Sequence, residues 1–225
     1  MNADTTAEQL KKEFQLTLSR FSHEIRNPIA LIRCELQMVE DHHPELTDSE
    51  NWHDIMDNLD YVTSLLNDLS NYNNADRISL TDTEMKGYLE HILSSVKPTM
   101  NYLGITLETD LSSALPVLPI DRVKLRQALL NLLRNARESI SRPDGKILFR
   151  ACPYQNGICI CIQDNGCGIS HEQLEKIFTP FVTFKPAGTG LGLSVTRQII
   201  EAHKGHMEVE SILHQGSTFR IFLTP

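Results

Sequence analysis

Two long runs of apolar side chains at helical spacing dominate the first third of the chain. Between Phe14 and Val39 an apolar residue recurs every three or four positions, and the same spacing returns from Trp52 to Leu69. This period is typical of amphipathic α-helices, so two helices joined by a loop over residues 42–49 are predicted to form an antiparallel hairpin. One hairpin cannot cover both apolar stripes. We therefore expect two copies of the chain to pair as a dimeric four-helix bundle.

The pattern changes near residue 78, where short alternating strands and helices replace the long stripes. Helices are predicted over residues 85–96, 121–141 and 196–202, with Asp121 as the N-cap of the second. Strands are predicted over residues 105–109, 117–120, 146–151, 158–163, 207–211 and 218–223. Helices gathered on one face of a mixed sheet give an α+β sandwich. We therefore predict a helical domain over residues 1–77 and an α+β domain over residues 78–225.

Charge and composition exclude several classes of partner. The 225 residues have a net charge of -8, which works against binding nucleic acid or anionic lipid because each phosphate contact needs a cation. No apolar run approaches the roughly 18 to 20 residues of a membrane span, and the N-terminus lacks the regions of a signal peptide. We expect a cytoplasmic protein with no membrane contact within this chain. The five cysteines are expected to be buried, reduced thiols.

A histidine and an acid stand side by side on the first predicted helix. His23 lies between the stripe residues Phe21 and Ile25, so its side chain is predicted to point away from the apolar seam. A neutral imidazole nitrogen is a competent phosphoryl acceptor near neutral pH, and the carboxylate of Glu24 could hold the other ring N–H. A solvated histidine without chemistry explains this cluster equally well on its own.

Two asparagines lie one turn apart on the helix predicted after Asp121. Asn131 and Asn135 are four positions apart, so their amides share one helical face. Amide oxygens suit Mg²⁺, which prefers hard oxygen ligands and takes its remaining ligands from waters and substrate phosphates. Ordinary polar surface is the alternative for this pair alone.

Two glycine-rich segments follow. Residues 164–168 read Asp-Asn-Gly-Cys-Gly directly after a predicted strand, where Asp164 could accept a hydrogen bond from the exocyclic amine of adenine. A simple turn is the alternative. Residues 188–192 precede a helix, so free backbone N–H groups there could receive phosphates. This second segment lacks the Gly-Lys-[Ser/Thr] of a Walker A loop and the preceding strand of a Rossmann fingerprint.

Each cluster taken alone is weak evidence for a function, but the order of the four clusters along the chain is specific to one family. The four clusters resemble the H, N, G1 and G2 boxes of the bacterial sensor histidine kinases, and Phe178 and Phe181 resemble the F box between the last two. The resemblance covers nearly the whole chain. The short segment between Phe181 and Gly188 is similar to the lid of the nitrogen-regulation and sporulation kinases. An ATP-binding sandwich of the gyrase, histidine kinase and MutL type is therefore implied for residues 78–225.

The resemblance also implies roles for individual residues. His23 matches the phosphoacceptor, Glu24 its base or hydrogen-bond partner, and Asn27 an amide that orients water for hydrolysis of a phosphoaspartate. Asn135 matches a Mg²⁺ ligand, and Asp164 the reader of adenine. The remaining implied nucleotide contacts are Asn131, Gly166, Gly168, Lys185, Gly188, Thr189, Gly190, Leu191 and Gly192. Many family members carry a basic residue where this chain has Glu138, so the nucleotide contact sometimes made from there is not implied.

The implied reaction uses ATP and Mg²⁺ to phosphorylate His23 and then an aspartate on the receiver domain of a response regulator. Two alternatives are a dimeric scaffold that binds ATP without catalysis and an ATPase of the related gyrase and MutL group. The joint presence of His23, Glu24, Asn135 and Asp164 argues against the scaffold, and the helical hairpin disfavours the ATPase. No sensor or receiver domain is recognisable, so we expect a fragment of a longer chain or an input delivered by another protein.

Overall fold

The chain forms two compact units. The computed structural model describes residues 2–185 and 188–225, with side chains described from residue 17 onward except those of Ser19 and His23. Its backbone divides into residues 1–74, called here the helical unit, and residues 75–225, called the sheet unit. The break falls a few residues before the predicted division after residue 77.

The helical unit is a hairpin of two long helices, as predicted. Helix α1 spans Asn2–His42 and helix α2 spans Glu50–Asn73. The segment between them was predicted as a loop, but Pro44–Asp48 forms a 3₁₀ turn. Proline explains the difference, because its fixed φ favours the first position of a helical turn.

Polar bonds as well as apolar contacts join the two helices. Ser22 is 1% exposed, and its hydroxyl donates to the carbonyl of Leu66 at 3.2 Å. Arg26 donates to the same carbonyl at 3.4 Å and to Asn67 Oδ1 at 3.3 Å. These bonds fix the register of α1 against α2 beside the predicted phosphoacceptor.

A second apolar stripe on each helix stays exposed in the single hairpin. Phe21 is 57% exposed on α1, and Ile55 is 47% exposed on α2. Further large apolar side chains that are exposed in this unit are Leu31, Ile32, Met38, Val39, Leu46, Tyr61 and Val62. The hairpin therefore presents an apolar face that its own residues do not cover.

The sheet unit is a sandwich of helices on a mixed sheet, so the predicted α+β architecture is confirmed. Its elements in chain order are β1 (Thr81–Glu84), α3 (Met85–Tyr102), β2 (Thr106–Leu111), β3 (Val117–Ile120), α4 (Arg122–Ser139), β4 (Lys146–Tyr154), β5 (Gly157–Asp164), α5 (His171–Leu174), α6 (Gly192–Ala202), β6 (His206–Ile212) and β7 (Gly216–Leu223). Five strands form one sheet in the order β2-β4-β5-β7-β6, in which only β2 and β4 are parallel. Strands β1 and β3 form a separate antiparallel pair.

The core lies between the five-stranded sheet and helices α3, α4 and α6. Alternate residues of β4 and β5 are buried, among them Ile147, Phe149 and Ile160. The opposite face of these strands carries the thiols of Cys152, which is exposed, and of Cys159 and Cys161, which are half-buried. Cys34 and Cys167 are also exposed. The expectation of buried thiols is therefore wrong. Strand alternation places Cys152, Cys159 and Cys161 on the outer face of the sheet, while Cys34 lies on α1 and Cys167 in the loop after β5.

Asp121 begins α4, which confirms the predicted N-cap. Its Oδ1 accepts from the backbone N–H groups of Val123 and Lys124, both at 3.0 Å. Its Oδ2 accepts from the backbone N–H of Ser79 at 2.8 Å. Burial raises the pKa of the carboxyl, but these backbone hydrogen bonds outweigh it and hold that pKa below its ordinary value. The cap thus anchors the start of the helix that carries Asn131 and Asn135.

Two further elements differ from expectation. Helix α3 was predicted to end at residue 96 but continues through Pro98 to Tyr102, because Met100 is buried in the core and holds the last turn. Helix α6 begins at Gly192 and not near residue 196. Among residues 2–185 and 188–225, no helix combines the length and the apolar character that a membrane span requires.

Candidate active site

Helix α4 forms one wall of the candidate site. Asn131, Asn135 and Glu138 follow one another along one face of the helix, while Leu132 and Leu133 are buried in the core. The amide of Asn131 donates to the carbonyl of Gly192 at 3.3 Å. The structure therefore brings the middle of α4 against the start of α6, which are distant in sequence.

The end of the same helix meets the first glycine-rich loop. Asp164 closes β5 and is 6% exposed. Its Oδ1 accepts from the Ser139 hydroxyl at 3.0 Å and from the backbone N–H of Gly166 at 2.9 Å. Burial raises the pKa of the Asp164 carboxyl, and this effect outweighs the hydrogen bonds it accepts and the attraction of Lys185. A carboxylate held in so dry a place is suited to recognising one specific donor.

The glycines of this loop serve the protein's own packing. A Cβ at Gly166 would overlap Ser139 at the end of α4. Gly168 has a φ of +68°, and a Cβ there would overlap the carbonyl of Ile212. Both residues therefore let the loop close onto neighbouring backbone, which positions Asp164 whether or not a ligand also approaches them.

The second glycine-rich segment leads into α6. Gly190 has a φ of +69°, its carbonyl accepts from the backbone N–H of Phe181 at 3.1 Å, and a Cβ there would overlap residues 181 and 182. Thr189 Oγ1 accepts from the backbone N–H of Leu191, a buried residue, at 3.3 Å. Gly188 donates its N–H to the carbonyl of Lys185 at 3.2 Å. Gly192, by contrast, has room for a side chain, so its place at the start of the helix is not imposed by crowding.

Lys185 lies against α4. Its ammonium donates to Glu138 Oε2 at 2.6 Å and to Asn135 Oδ1 at 3.2 Å. The sequence analysis implied a contact between Lys185 and the nucleotide, and the observed contacts place the charge of Lys185 beside the predicted Mg²⁺ ligand, Asn135.

The residues of the first cluster lie in the helical unit on α1. Glu24 and Asn27 are both exposed. Pro28 has no N–H to donate to the carbonyl of Glu24, so the helix lacks one internal hydrogen bond beside these residues. His23 lies on the same helix, and its imidazole falls outside the described side chains.

Sequence reasoning missed several residues that shape the site. Ser139 contacts Asp164, and Arg134 donates to Asn131 Oδ1 at 3.1 Å. The guanidinium of Arg197 lies 5.3 Å from the centre of the Phe178 ring, a cation–π contact on the predicted F box. Helical spacing could have found Ser139, which lies four positions after Asn135. The contacts of Arg134 and Arg197 required the tertiary structure.

Comparison with known domains identifies the class of protein. Residues 120–225 match the histidine kinase, DNA gyrase B and HSP90-like ATPase domain, and residues 15–78 match the His Kinase A phosphoacceptor domain. The chain belongs to the sensor histidine kinases of bacterial two-component systems, as the resemblance implied. Nothing in these comparisons favours a catalytically silent scaffold.

Individual relatives support the same class. The chain is 32% identical over 203 residues to the signal transduction histidine-protein kinase AtoS of Escherichia coli K12, covering 90% of this chain and 33% of AtoS. It is 30% identical over 225 residues to the sensory histidine kinase/phosphatase NtrB of Rhizobium meliloti, covering 91% of this chain and 57% of NtrB. The crystal structure of full-length ShkA in complex with AMPPNP superposes with a TM-score of 0.78 at 26% identity, covering 93% of this chain and 46% of ShkA. The chain thus spans about a third to somewhat over half of these proteins.

Proposed function

We propose that this chain is the catalytic core of a sensor histidine kinase, which binds Mg-ATP, phosphorylates its own His23 and passes the phosphoryl group to an aspartate on a response regulator receiver domain. The observation that carries the proposal is that α4 contacts both glycine-rich loops, through Asn131 to Gly192 and through Ser139 to Asp164. These contacts gather the N, G1 and G2 boxes around one helix. In this proposal residues 1–77 serve dimerisation and phosphotransfer, and residues 78–225 bind ATP.

The adenine end of the site is assigned to Asp164. Its buried carboxylate accepts bonds from the Ser139 hydroxyl and from the backbone N–H groups of Gly166 and Ser217, and the group can accept one further bond from the exocyclic amine of the base. Hydrogen bonds to a charged acceptor in a dry pocket are stronger than neutral ones. Asp164 would therefore select adenine, while Gly188 to Gly192 and the free N–H groups at the start of α6 would border the phosphates.

The Mg²⁺ ligand is assigned to Asn135. The amide oxygen of Asn135 already accepts from the Lys185 ammonium at 3.2 Å, so it faces a position that a cation can occupy. An amide oxygen is the hard ligand that Mg²⁺ requires. When bound, Mg²⁺ would neutralise charge on the phosphate oxygens during transfer.

The transfer itself is assigned to His23 and Glu24. A neutral imidazole nitrogen attacks the terminal phosphorus, a new N–P bond forms, the bond to the bridging oxygen breaks, and ADP leaves with that oxygen. The other ring nitrogen carries a proton that the Glu24 carboxylate holds as positive charge develops on the ring. The phosphoramidate then passes its phosphoryl group to a receiver aspartate.

A second copy of the chain is proposed to cover the exposed apolar face of the hairpin. That face includes Phe21 and Ile32 on α1 and Ile55 and Val62 on α2, all more than a third exposed. Two such faces packed together would make the four-helix bundle. We further propose a cytoplasmic location, where ATP is available, and no nucleic-acid partner, since the net charge of the chain is -8.

Replacing Asn135 with alanine should remove the magnesium dependence of ATP binding. Loss of one charged-group contact of about 1.5 to 3 kcal/mol corresponds to roughly tenfold or more in affinity. Calorimetric titration with ATP, in Mg²⁺ and in EDTA, measures the effect. Asn101→Ala, at an exposed site near the end of α3, is the matched control. If Asn135→Ala keeps the wild-type response to Mg²⁺, Asn135 is not the metal ligand.

Replacing Asn27 with alanine should slow hydrolysis of a receiver phosphoaspartate and leave autophosphorylation near normal. Residues four apart on a helix lie about 5 to 6 Å apart at Cβ, so an exposed amide one turn beyond His23 can orient water at a docked receiver. The relative NtrB is named a kinase/phosphatase. Glu24→Ala should instead lose mainly autophosphorylation.

Both rates can be measured with a receiver domain that accepts phosphate from the wild-type protein. Gln37→Ala, which removes an exposed amide farther along α1, serves as the control. A parallel drop in both rates for Asn27→Ala, together with a lower melting temperature, would mean that Asn27 only supports the helix before Pro28.

A further inference from the structure

Glu138 holds the side chain of Lys185 at the site assigned to nucleotide. The carboxylate Oε2 lies 2.6 Å from the Lys185 ammonium, and the two residues are 47 positions apart in sequence. The same ammonium also donates to Asn135 Oδ1 at 3.2 Å. The side chain of Lys185 is 43% exposed and that of Glu138 is 35% exposed, so the ion pair forms at the open rim of the site.

This arrangement conflicts with a loaded site. The Asn135 amide oxygen cannot bind the Lys185 ammonium and a Mg²⁺ ion at the same time, because two cations so close together repel each other. Phosphates must also compete with the Glu138 carboxylate for the single charge of Lys185. Binding of Mg-ATP therefore requires Lys185 to leave the position in which it is found here.

We propose that Glu138 is a positioning residue that lowers affinity for Mg-ATP by retaining Lys185 on helix α4. The inference rests on the proposed function and deepens it. It assigns a role to Glu138, a residue for which the resemblance implies no contact with the nucleotide. Glu138 acts only through Lys185 in this account and touches no substrate. When the nucleotide binds, the Lys185 ammonium must therefore exchange the Glu138 carboxylate for a phosphate group.

Two arginines complicate any single substitution. Glu138 Oε1 lies 3.4 Å from Arg137 Nη2 and 4.0 Å from Arg134 Nε. Removing the carboxylate takes one partner away from each of the three cations and removes a negative charge near the phosphates. A gain in ATP affinity in E138Q alone would therefore not identify Lys185 as the cause.

A double-mutant cycle isolates the contribution of Lys185. ATP affinity is measured by calorimetry at fixed free Mg²⁺ for the wild type, E138Q, K185M and E138Q/K185M. Exposed ion pairs contribute little, so we expect E138Q to gain about two- to fivefold more affinity in the wild-type background than in the K185M background. The free Mg²⁺ needed for half-maximal ATP binding should also fall in E138Q, and both effects should shrink at 1 M salt.

Glu210→Gln is the matched control, because it breaks a comparable pair with Arg220 on the outer face of the sheet. It should leave ATP affinity unchanged. Equal gains for E138Q in both backgrounds would overturn the proposal, since Glu138 would then act by its own charge. Weaker ATP binding by E138Q would overturn it as well, because Glu138 would then present Lys185 to the phosphates. A wild-type protein that binds no ATP at any Mg²⁺ concentration would instead contradict the proposed function.

Discussion

Replacing Asp164 with asparagine is expected to weaken ATP binding about tenfold or more and to raise the melting temperature of the sheet unit. Asparagine keeps an oxygen that can accept from Ser139 and Gly166. Its amide N–H₂, however, would face the exocyclic amine of adenine, so two donors would meet in a dry pocket. Loss of a charge-assisted bond of roughly 1.5 to 3 kcal/mol accounts for the change in affinity.

The gain in stability follows from the raised pKa of Asp164. Burial is the main cause of that rise, so the folded protein disfavours the carboxylate more than the unfolded chain does. The carboxylate therefore destabilises the fold at neutral pH, and the penalty disappears as pH falls through the folded pKa. Asparagine removes the penalty at every pH. ATP affinity of the wild type should also fall on acidification at a higher pH than an ordinary aspartate would give.

Calorimetry of ATP binding and of thermal unfolding measures both expectations for Asp164→Asn. Asp110→Asn is the control, since Asp110 is exposed and pairs with Arg150 on the sheet. It should change neither ATP affinity nor the acid response. Wild-type ATP affinity in Asp164→Asn would remove Asp164 from the adenine pocket.

Replacing His23 with glutamine is expected to abolish autophosphorylation and to leave ATP affinity within experimental error. The phosphoacceptor domain matches residues 15–78, and the ATPase domain matches residues 120–225, so the two steps use different parts of the chain. Glutamine keeps a polar side chain on α1 but has no imidazole nitrogen to attack phosphorus.

Transfer of label from γ-labelled ATP and calorimetric ATP binding are the two measurements for His23→Gln. His53→Gln is the matched control, because His53 is an exposed histidine of the same helical unit. Label that persists in His23→Gln would show that another of the nine histidines, or another residue type, is the acceptor.

Regular periodicity explains which parts of the fold could be predicted. The apolar stripes of α1 and α2 extend over many turns, so both helices were predicted. The runs over residues 146–151 and 158–163 were predicted as the strands that are now β4 and β5. Strand β1 was missed because its residues, Thr81–Glu84, are polar and carry no alternation. The prediction of buried thiols failed at Cys152, Cys159 and Cys161 because it relied on the general tendency of cysteine to be buried. In β4 and β5, strand alternation decides which face of the sheet a side chain takes.

The candidate site was predictable in its parts but not in its contacts. Motif order identified Asn135, Asp164 and Lys185 as a set. The ion pair between Lys185 and Glu138 joins residues 47 positions apart, so no local sequence pattern indicates it. Glu138 also stands where many members of the family carry a basic residue. Ser139 shares a helical face with Asn135, but its contact with Asp164 exists only because β5 ends beside the last turn of α4.

Phosphorylation of a histidine can be recognised by the chemical stability of the label that γ-labelled ATP transfers to the protein. Wild-type protein is incubated with γ-labelled ATP and Mg²⁺, denatured, and split between acid and base. A phosphoramidate on histidine is lost in acid and survives base, so we expect Mg²⁺-dependent label that is stable only in base. Label that survives acid, or no label under conditions where calorimetry detects bound ATP, would show that the protein does not phosphorylate its own histidine.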